Sequence, residues 1–147
     1  MKKLFLFIGL VMASIFSIQS QEIADNAIGL RFAENNGIGA EFTYQRKLSE
    51  ATRLEVDLGI RDSYFKATGL YQWVNHLDGD FNWYVGAGGG LGAGENINTF
   101  IVGSGVIGVE YNFDIPLMIA LDFRPELGLI NADGLSTDFG LAVRYKF

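Results

Sequence analysis

The sequence predicts an all-β fold: an eight-stranded antiparallel up-and-down transmembrane β-barrel, preceded by a cleavable signal peptide. Three observations carry this reading. The stretch Ser136 to Phe147 places Phe139, Leu141, Val143, Tyr145 and Phe147 at every second position, with Asp138, Gly140, Ala142, Arg144 and Lys146 between them. Successive side chains of a strand point to opposite faces, so this strand has one apolar face and one polar or small face. Turn signals recur at intervals of roughly 10–15 residues, the spacing of an all-β meander. The aromatic residues also sort to particular heights along the strands, which a membrane interface explains and a soluble core does not.

The amino-terminal segment is set apart first. Lys2 and Lys3 precede an apolar run from Leu4 to Ile18, and polar Gln19 and Ser20 follow. That is the anatomy of a secretory signal peptide and is too short for a spanning helix. Residues 1–20 are therefore assigned as signal peptide and 21–147 as one barrel domain, with cleavage after Ser20. The chain has no cysteine, hence no lipid-attachment site and no disulfide framework. Without Lys2 and Lys3, the 11 Lys+Arg fall to 9 against 17 Asp+Glu, a net charge of −8. Such an acidic chain argues against nucleic acid as a partner.

Seven turn signals, Ala33–Asn36, Leu48–Thr52, Arg61–Ser63, Asn75–Asp80, Gly94–Thr99, Asn112–Pro116 and Gly128–Leu135, divide the domain into eight strands. The first sets Ile28, Leu30 and Phe32 against Ala27, Gly29 and Arg31. The second sets Ile38, Ala40, Phe42 and Tyr44 against Gly39, Glu41, Thr43 and Gln45. In the third, Leu54, Val56, Leu58 and Ile60 alternate with Arg53, Glu55, Asp57 and Gly59. The fourth turns Phe65, Ala67, Tyr71 and Trp73 outward, with Lys66, Thr68 and Gln72 inward. The fifth turns Phe81, Trp83, Val85 and Leu91 outward, against Asn82, Tyr84 and a row of glycines. The sixth is apolar on both faces, and Ile101, Ile107, Val109 and Tyr111 are taken as outward. The seventh opposes Leu117, Ile119, Leu121 and Phe123 to Met118, Ala120, Asp122, Arg124 and Glu126.

With the amino terminus in the periplasm, Tyr44, Tyr71, Trp73, Phe81, Trp83, Tyr111, Phe113, Tyr145 and Phe147 cluster at one interface. Phe32, Phe65, Phe123 and Phe139 lie toward the other. Amphipathic rings favour the headgroup level, so the first set reads as an aromatic girdle. A secreted soluble barrel of the lipocalin kind would instead need the apolar faces to point inward.

Alternating apolar positions ending on Tyr145 and Phe147 resemble the carboxy-terminal assembly signal of bacterial outer-membrane barrels. The stretch Val109-Glu110-Tyr111-Asn112-Phe113-Asp114-Ile115-Pro116, followed by Leu121-Asp122-Phe123-Arg124-Pro125, resembles the penultimate hairpin of a broad family of such proteins. The domain as a whole is similar to small eight-stranded barrels of the OmpA/OmpX type. The resemblance implies a monomer in the outer membrane, with outer-membrane lipid and the barrel-assembly machinery as partners. It is nearly silent on activity; the poor inventory of nucleophiles and bases predicts no enzymatic activity, and no cofactor is expected. The outer connections here are short, unlike the long extracellular loops of the better-known members.

Inward charges form the principal candidate site. Arg31, Lys47, Arg53, Lys66, Arg124, Arg144 and Lys146 stand against Glu41, Glu55, Asp57, Glu110, Asp122, Glu126 and Asp138, seven of each sign. Buried charges require partners, and eight strands leave an interior that side chains just fill. A closed, salt-bridged lumen is the expectation, with Arg124 shared among Asp122, Glu126 and acids of neighbouring strands. A narrow channel or small-ligand carrier is the alternative. Gly103-Ser104-Gly105-Val106-Ile107-Gly108 matches G-x-G-x-x-G, and glycines crowd positions 86 to 94. A phosphate loop must open a helix, which neither stretch does; inward glycines that let a small barrel curl are the better reading. His76 is the sole histidine, expected in a surface turn with Asp78 and Asp80. Without a serine in that turn or a complete calcium-loop pattern, it suggests neither a lipid-modifying enzyme nor a metal site.

Overall fold

The computed structural model describes residues 23–34, 38–61 and 63–147. The proposed signal peptide, the cleavage point and the tip of the first turn lie outside the described residues. Eight strands follow one another: β1 (Asn26–Glu34), β2 (Ile38–Lys47), β3 (Thr52–Arg61), β4 (Tyr64–Asp78), β5 (Phe81–Gly94), β6 (Ile97–Asn112), β7 (Leu117–Ile130) and β8 (Leu135–Lys146). Each pairs antiparallel with the next, and β8 closes on β1.

The pairing register sets the barrel's geometry. A row started at Ala27 passes through Gln45, Glu55, Leu70, Gly88, Ser104 and Glu126 to Ser136. The β8 residue that pairs with Ala27 is Lys146, so the row has climbed 146 − 136 = 10 residues in one circuit. That stagger obliges the strands to tilt, by roughly 35–45° in barrels of this kind. We call the end where β1 begins and β8 ends the lower rim, and the other end the upper rim.

The closed wall is inverted relative to a soluble protein. Arg31, Arg53, Glu55, Asp57, Gln72, Arg124 and Arg144 are each at most 2 % exposed, while Leu58, Leu121, Leu141 and Ile107 are 40–58 % exposed. The soluble-barrel alternative needed the opposite arrangement. On β6, Val102, Ser104, Val106, Gly108 and Glu110 are buried, and Ile101, Ile107 and Val109 point out. The outward aromatics of the lower half touch ring to ring, in the pairs Tyr71–Trp73, Phe81–Tyr111, Tyr111–Phe113 and Tyr145–Phe147. Higher up, Phe123 meets Phe139, which pairs with Glu34 at the upper end of β1.

Several turns are tighter than the sequence suggests. The expected turn Asn75–Asp80 shrinks to Gly79 and Asp80, because Gly79 supplies the positive φ (54°) that a two-residue hairpin needs at its first position. His76 therefore lies on β4, paired with Asn82, rather than in a turn. The β5–β6 hairpin turns at Glu95 and Asn96, with Asn96 at φ 60°. β7 runs on to Ile130, so only Asn131 to Gly134 remain as its connection to β8.

The glycines are the counter-shape of the large inward side chains. A Cβ at Gly92 would strike the Phe100 ring, one at Gly108 the Tyr84 ring, and one at Gly140 the Arg31 guanidinium. This is the room for bulky neighbours expected of inward glycines, with an aromatic covering a cross-strand glycine in the first two cases. The G-x-G-x-x-G stretch lies wholly within β6 and opens no helix. One part of the glycine reading is corrected. Alternation turns Gly89 outward, where it pairs with Gly69 and Gly103 on the neighbouring strands.

Candidate functional site: the charged lumen

The lumen is filled in three tiers, set by where each strand's alternation places its polar residue. The central tier is built around Arg31. Its Nε and Nη2 donate to the two oxygens of Asp122 at 3.0 and 2.5 Å, and Nη1 donates to Glu41 and Asp138 at 3.0 Å each. The planar guanidinium makes four bonds to three acids from three strands at once, one more than the three N–H donors of a lysine allow. Arg124 approaches from β7, with Nη2 at 3.0 Å from Glu55, 2.8 Å from Asp57, and Nη1 at 3.7 Å from Glu41. Arg144 reaches Glu55 at 3.1 Å and the Thr43 hydroxyl, and Gln45 donates to the same Glu55 carboxylate.

Below this tier, Arg53 pairs with Glu110 at 2.7 Å, donates to Gln72, and lies 4.8 Å from the centre of the Tyr84 ring. A guanidinium over a desolvated aromatic face gains a cation–π attraction besides the ion pair. Asn82 donates to Glu110. Above the central tier, Lys66 bridges to Glu126, which also accepts from Ser104.

All twelve residues expected in the lumen network meet inside the barrel, yet the partner choice differs from the sequence expectation. Arg124 does not share its own strand's acids: Asp122 belongs to Arg31 and Glu126 to Lys66. Residues two apart on one strand stand parallel, roughly 6.6 Å apart at a rise of about 3.3 Å each, whereas side chains from the opposite wall converge on the barrel axis. The balance of seven against seven also changes. Lys146 turns to the side chain of Asn112 and the carbonyl of Phe113, and Lys47 lines a groove at the lower rim. Among the described residues, the lumen ion pairs thus join five cations to seven acids.

An inward apolar patch was missed from sequence. Leu70, Val74 and Val106 are buried together with Ile23, which precedes β1, around Tyr84, which alternation had already placed inward. Parity with Lys66, Thr68 and Gln72 was the signal that could have placed Leu70 and Val74 inside.

At the barrel seam, Phe147 and Asn26 exchange two backbone hydrogen bonds, each amide donating to the other's carbonyl, at 2.9 and 3.0 Å. Tyr145 stacks on Phe147 across the lipid-facing side. The two residues singled out as an assembly signal are thus the last stitches closing β8 onto β1.

No protein-family model and no curated protein matches the chain. Its fold is similar to the amino-terminal β-barrel domain of Pseudomonas aeruginosa OprF, at 17 % identity and TM-score 0.73, covering 86 % of this chain and all of that one. A designed transmembrane β-barrel matches at 17 % identity and TM-score 0.69, covering 88 % of this chain and all of the design. Neisserial surface protein A matches at 15 % identity and TM-score 0.64, covering 83 % and 94 %. The architecture is therefore that of small outer-membrane barrels.

Proposed function

We propose that the chain is an integral, non-enzymatic barrel of a bacterial outer membrane, exported by residues 1–20, with a closed lumen and a structural or surface-interaction role. The observation that carries this reading is the combination of a lipid-like exterior with an interior whose charges pair with one another across the axis. No aqueous environment suits Leu58, Ile107 and Leu121 standing outward on both sides of a closed barrel. The aromatic lower half favours a headgroup region at that rim, which this reading takes to be the periplasmic one. There Tyr145 and Phe147 would be read by the barrel-assembly machinery while β8 is still an open edge.

The similarity to OprF, Neisserial surface protein A and the designed barrel supports the membrane location through the shared fold. The outer connections run only from Glu34 to Ile38, Arg61 to Tyr64, Gly94 to Ile97 and Ile130 to Leu135, so any surface contact would be made by the rim itself. Planar-bilayer recording tests the closed lumen against the channel or carrier alternative. The purified barrel should insert without steady current, and a large, stable conductance would favour the channel.

A further inference from the structure

We propose that the groove at the lower rim between β1 and β2 binds one phospholipid headgroup of the ethanolamine type. The site rests on the reading of the chain as a membrane barrel and adds a specific lipid to it. On β2 the outward positions are Ala40, Phe42, Tyr44 and Arg46. Arg46 is the one cation on the lipid-facing side of the strands among the described residues. It pairs with Asn26 and Leu54, and Leu54 pairs with Tyr71, so its strand neighbours include the aromatic lower half. A cation at that height extends its head to the phosphate level and leaves its stem in hydrocarbon.

The groove beside it measures about 560 Å³ and is lined by Asp25, Arg46, Lys47, Ser49 and Glu50, with Asn26 and Leu48. Its walls are fixed before any lipid arrives. The amide of Lys47 donates to the carbonyl of Asp25 at 2.9 Å, tying the segment before β1 to the end of β2. The amides of Leu48 and Ser49 both donate to the carbonyl of Thr52, and the hydroxyls of Ser49 and Thr52 lie 2.6 Å apart. One cation, Arg46, and two carboxylates, Asp25 and Glu50, thus line one small preformed surface at headgroup height, while Lys47, paired with the inward Arg53, sits on the lumen face of β2.

A cation beside two accepting carboxylates matches a zwitterion better than an anionic lipid, whose charge the carboxylates would repel. Arg46 would take the phosphodiester, a charge-assisted bond that a guanidinium forms well. Asp25 and Glu50 would accept hydrogen bonds from the primary ammonium. A choline headgroup has the same charges but no N–H to donate, so it cannot make the second set of bonds.

Native mass spectrometry of the full chain in detergent tests this, with phosphatidylethanolamine, phosphatidylcholine and phosphatidylglycerol of identical acyl chains as probes. One phosphatidylethanolamine should be retained, at about fivefold excess over either other lipid, the advantage expected of a charge-assisted bond at a half-wet rim. Arg46→Gln should abolish retention. Glu50→Gln should erase the preference over phosphatidylglycerol while binding persists. Equal retention of all three lipids, a preference for phosphatidylglycerol, or parental retention by Arg46→Gln would each overturn the site. If Arg46→Gln does not fold, Glu50→Gln decides alone, and an unchanged preference there overturns the proposal. Insertion into vesicles is scored separately by the heat-dependent shift in gel mobility. A barrel that inserts but shows no lipid preference overturns only the site; protein left in the aqueous phase overturns the membrane reading with it.

Discussion

Replacing Arg31 with alanine should be the most damaging single truncation in the lumen. The side chain is fully buried and holds Asp122 through two bonds, Glu41 through one and Asp138 through one. After Arg31→Ala, the ion pair left to these three carboxylates among the described residues is with Arg124, which lies 3.7 Å from Glu41 and already serves Glu55 and Asp57. Removing one partner of a buried ion pair costs about 3–5 kcal/mol because the other charge is stranded. With three acids stranded, the upper end of that range applies, partly relieved if water enters. The assay is reversible denaturant unfolding in lipid vesicles, followed by tryptophan emission from Trp73 and Trp83. Two further variants separate stranded charge from lost packing. Arg31→Lys keeps the charge but has three donors where Arg31 uses four and loses the bidentate grip on Asp122, so it should fall between parent and alanine. Combining Arg31→Met with Glu41→Gln, Asp122→Asn and Asp138→Asn removes the imbalance and should recover much of the loss. An Arg31→Ala barrel that unfolds at the parental denaturant concentration would refute the assignment of these charges to a packed, water-poor lumen.

Two other expectations follow from the same geometry. At Gly108→Ala, the new Cβ would lie 2.5 Å from the Tyr84 ring and 2.7 Å from the carbonyl oxygen of Leu121. Tyr84 is fully buried under Arg53 and has nowhere to retreat, so unfolding measurements should show a loss of about 1–3 kcal/mol; a neutral result would mean the ring is free to move. Deleting Phe147 removes two backbone bonds at the β1–β8 seam together with the stacked ring, so the yield of folded, membrane-inserted barrel in cells should drop; undiminished yield would remove its role in assembly.

The faces of the strands were legible because alternation survives composition. β3 reads apolar and charged in turn from Arg53 to Ile60, and its residues point as that pattern says. β6 was hard for the opposite reason: with Val102 and Val106 inside and Ile101 and Ile107 outside, hydropathy does not distinguish the faces, and only pairing with β5 and β7 does. That the lumen would hold the twelve network residues followed from parity alone. Which acid meets which cation did not, because Arg31 and Asp138, or Arg124 and Glu55, are brought together by closure and stagger rather than by local spacing. Hairpin length was limited by a similar ambiguity. Polar runs such as Asn75–Asp80 look like loops until Gly79 is seen to make the turn alone with Asp80. Arg46, by contrast, stood in plain view on the apolar face of β2. Its meaning emerged once Asp25 and Glu50 were found beside it.

The central claim is that the outward faces of these strands contact lipid while the inward faces are packed and dry. The absence of native cysteine makes single-cysteine spin labelling direct. In vesicles, labels at Ile119, Leu121 and Phe123 should collide freely with dissolved oxygen and little with a water-soluble nickel complex. Labels at Met118 and Ala120, which are 3 % and 1 % exposed, should be shielded from both reagents. Nickel access at Leu121, or oxygen access peaking at Met118 and Ala120, would contradict the inverted barrel.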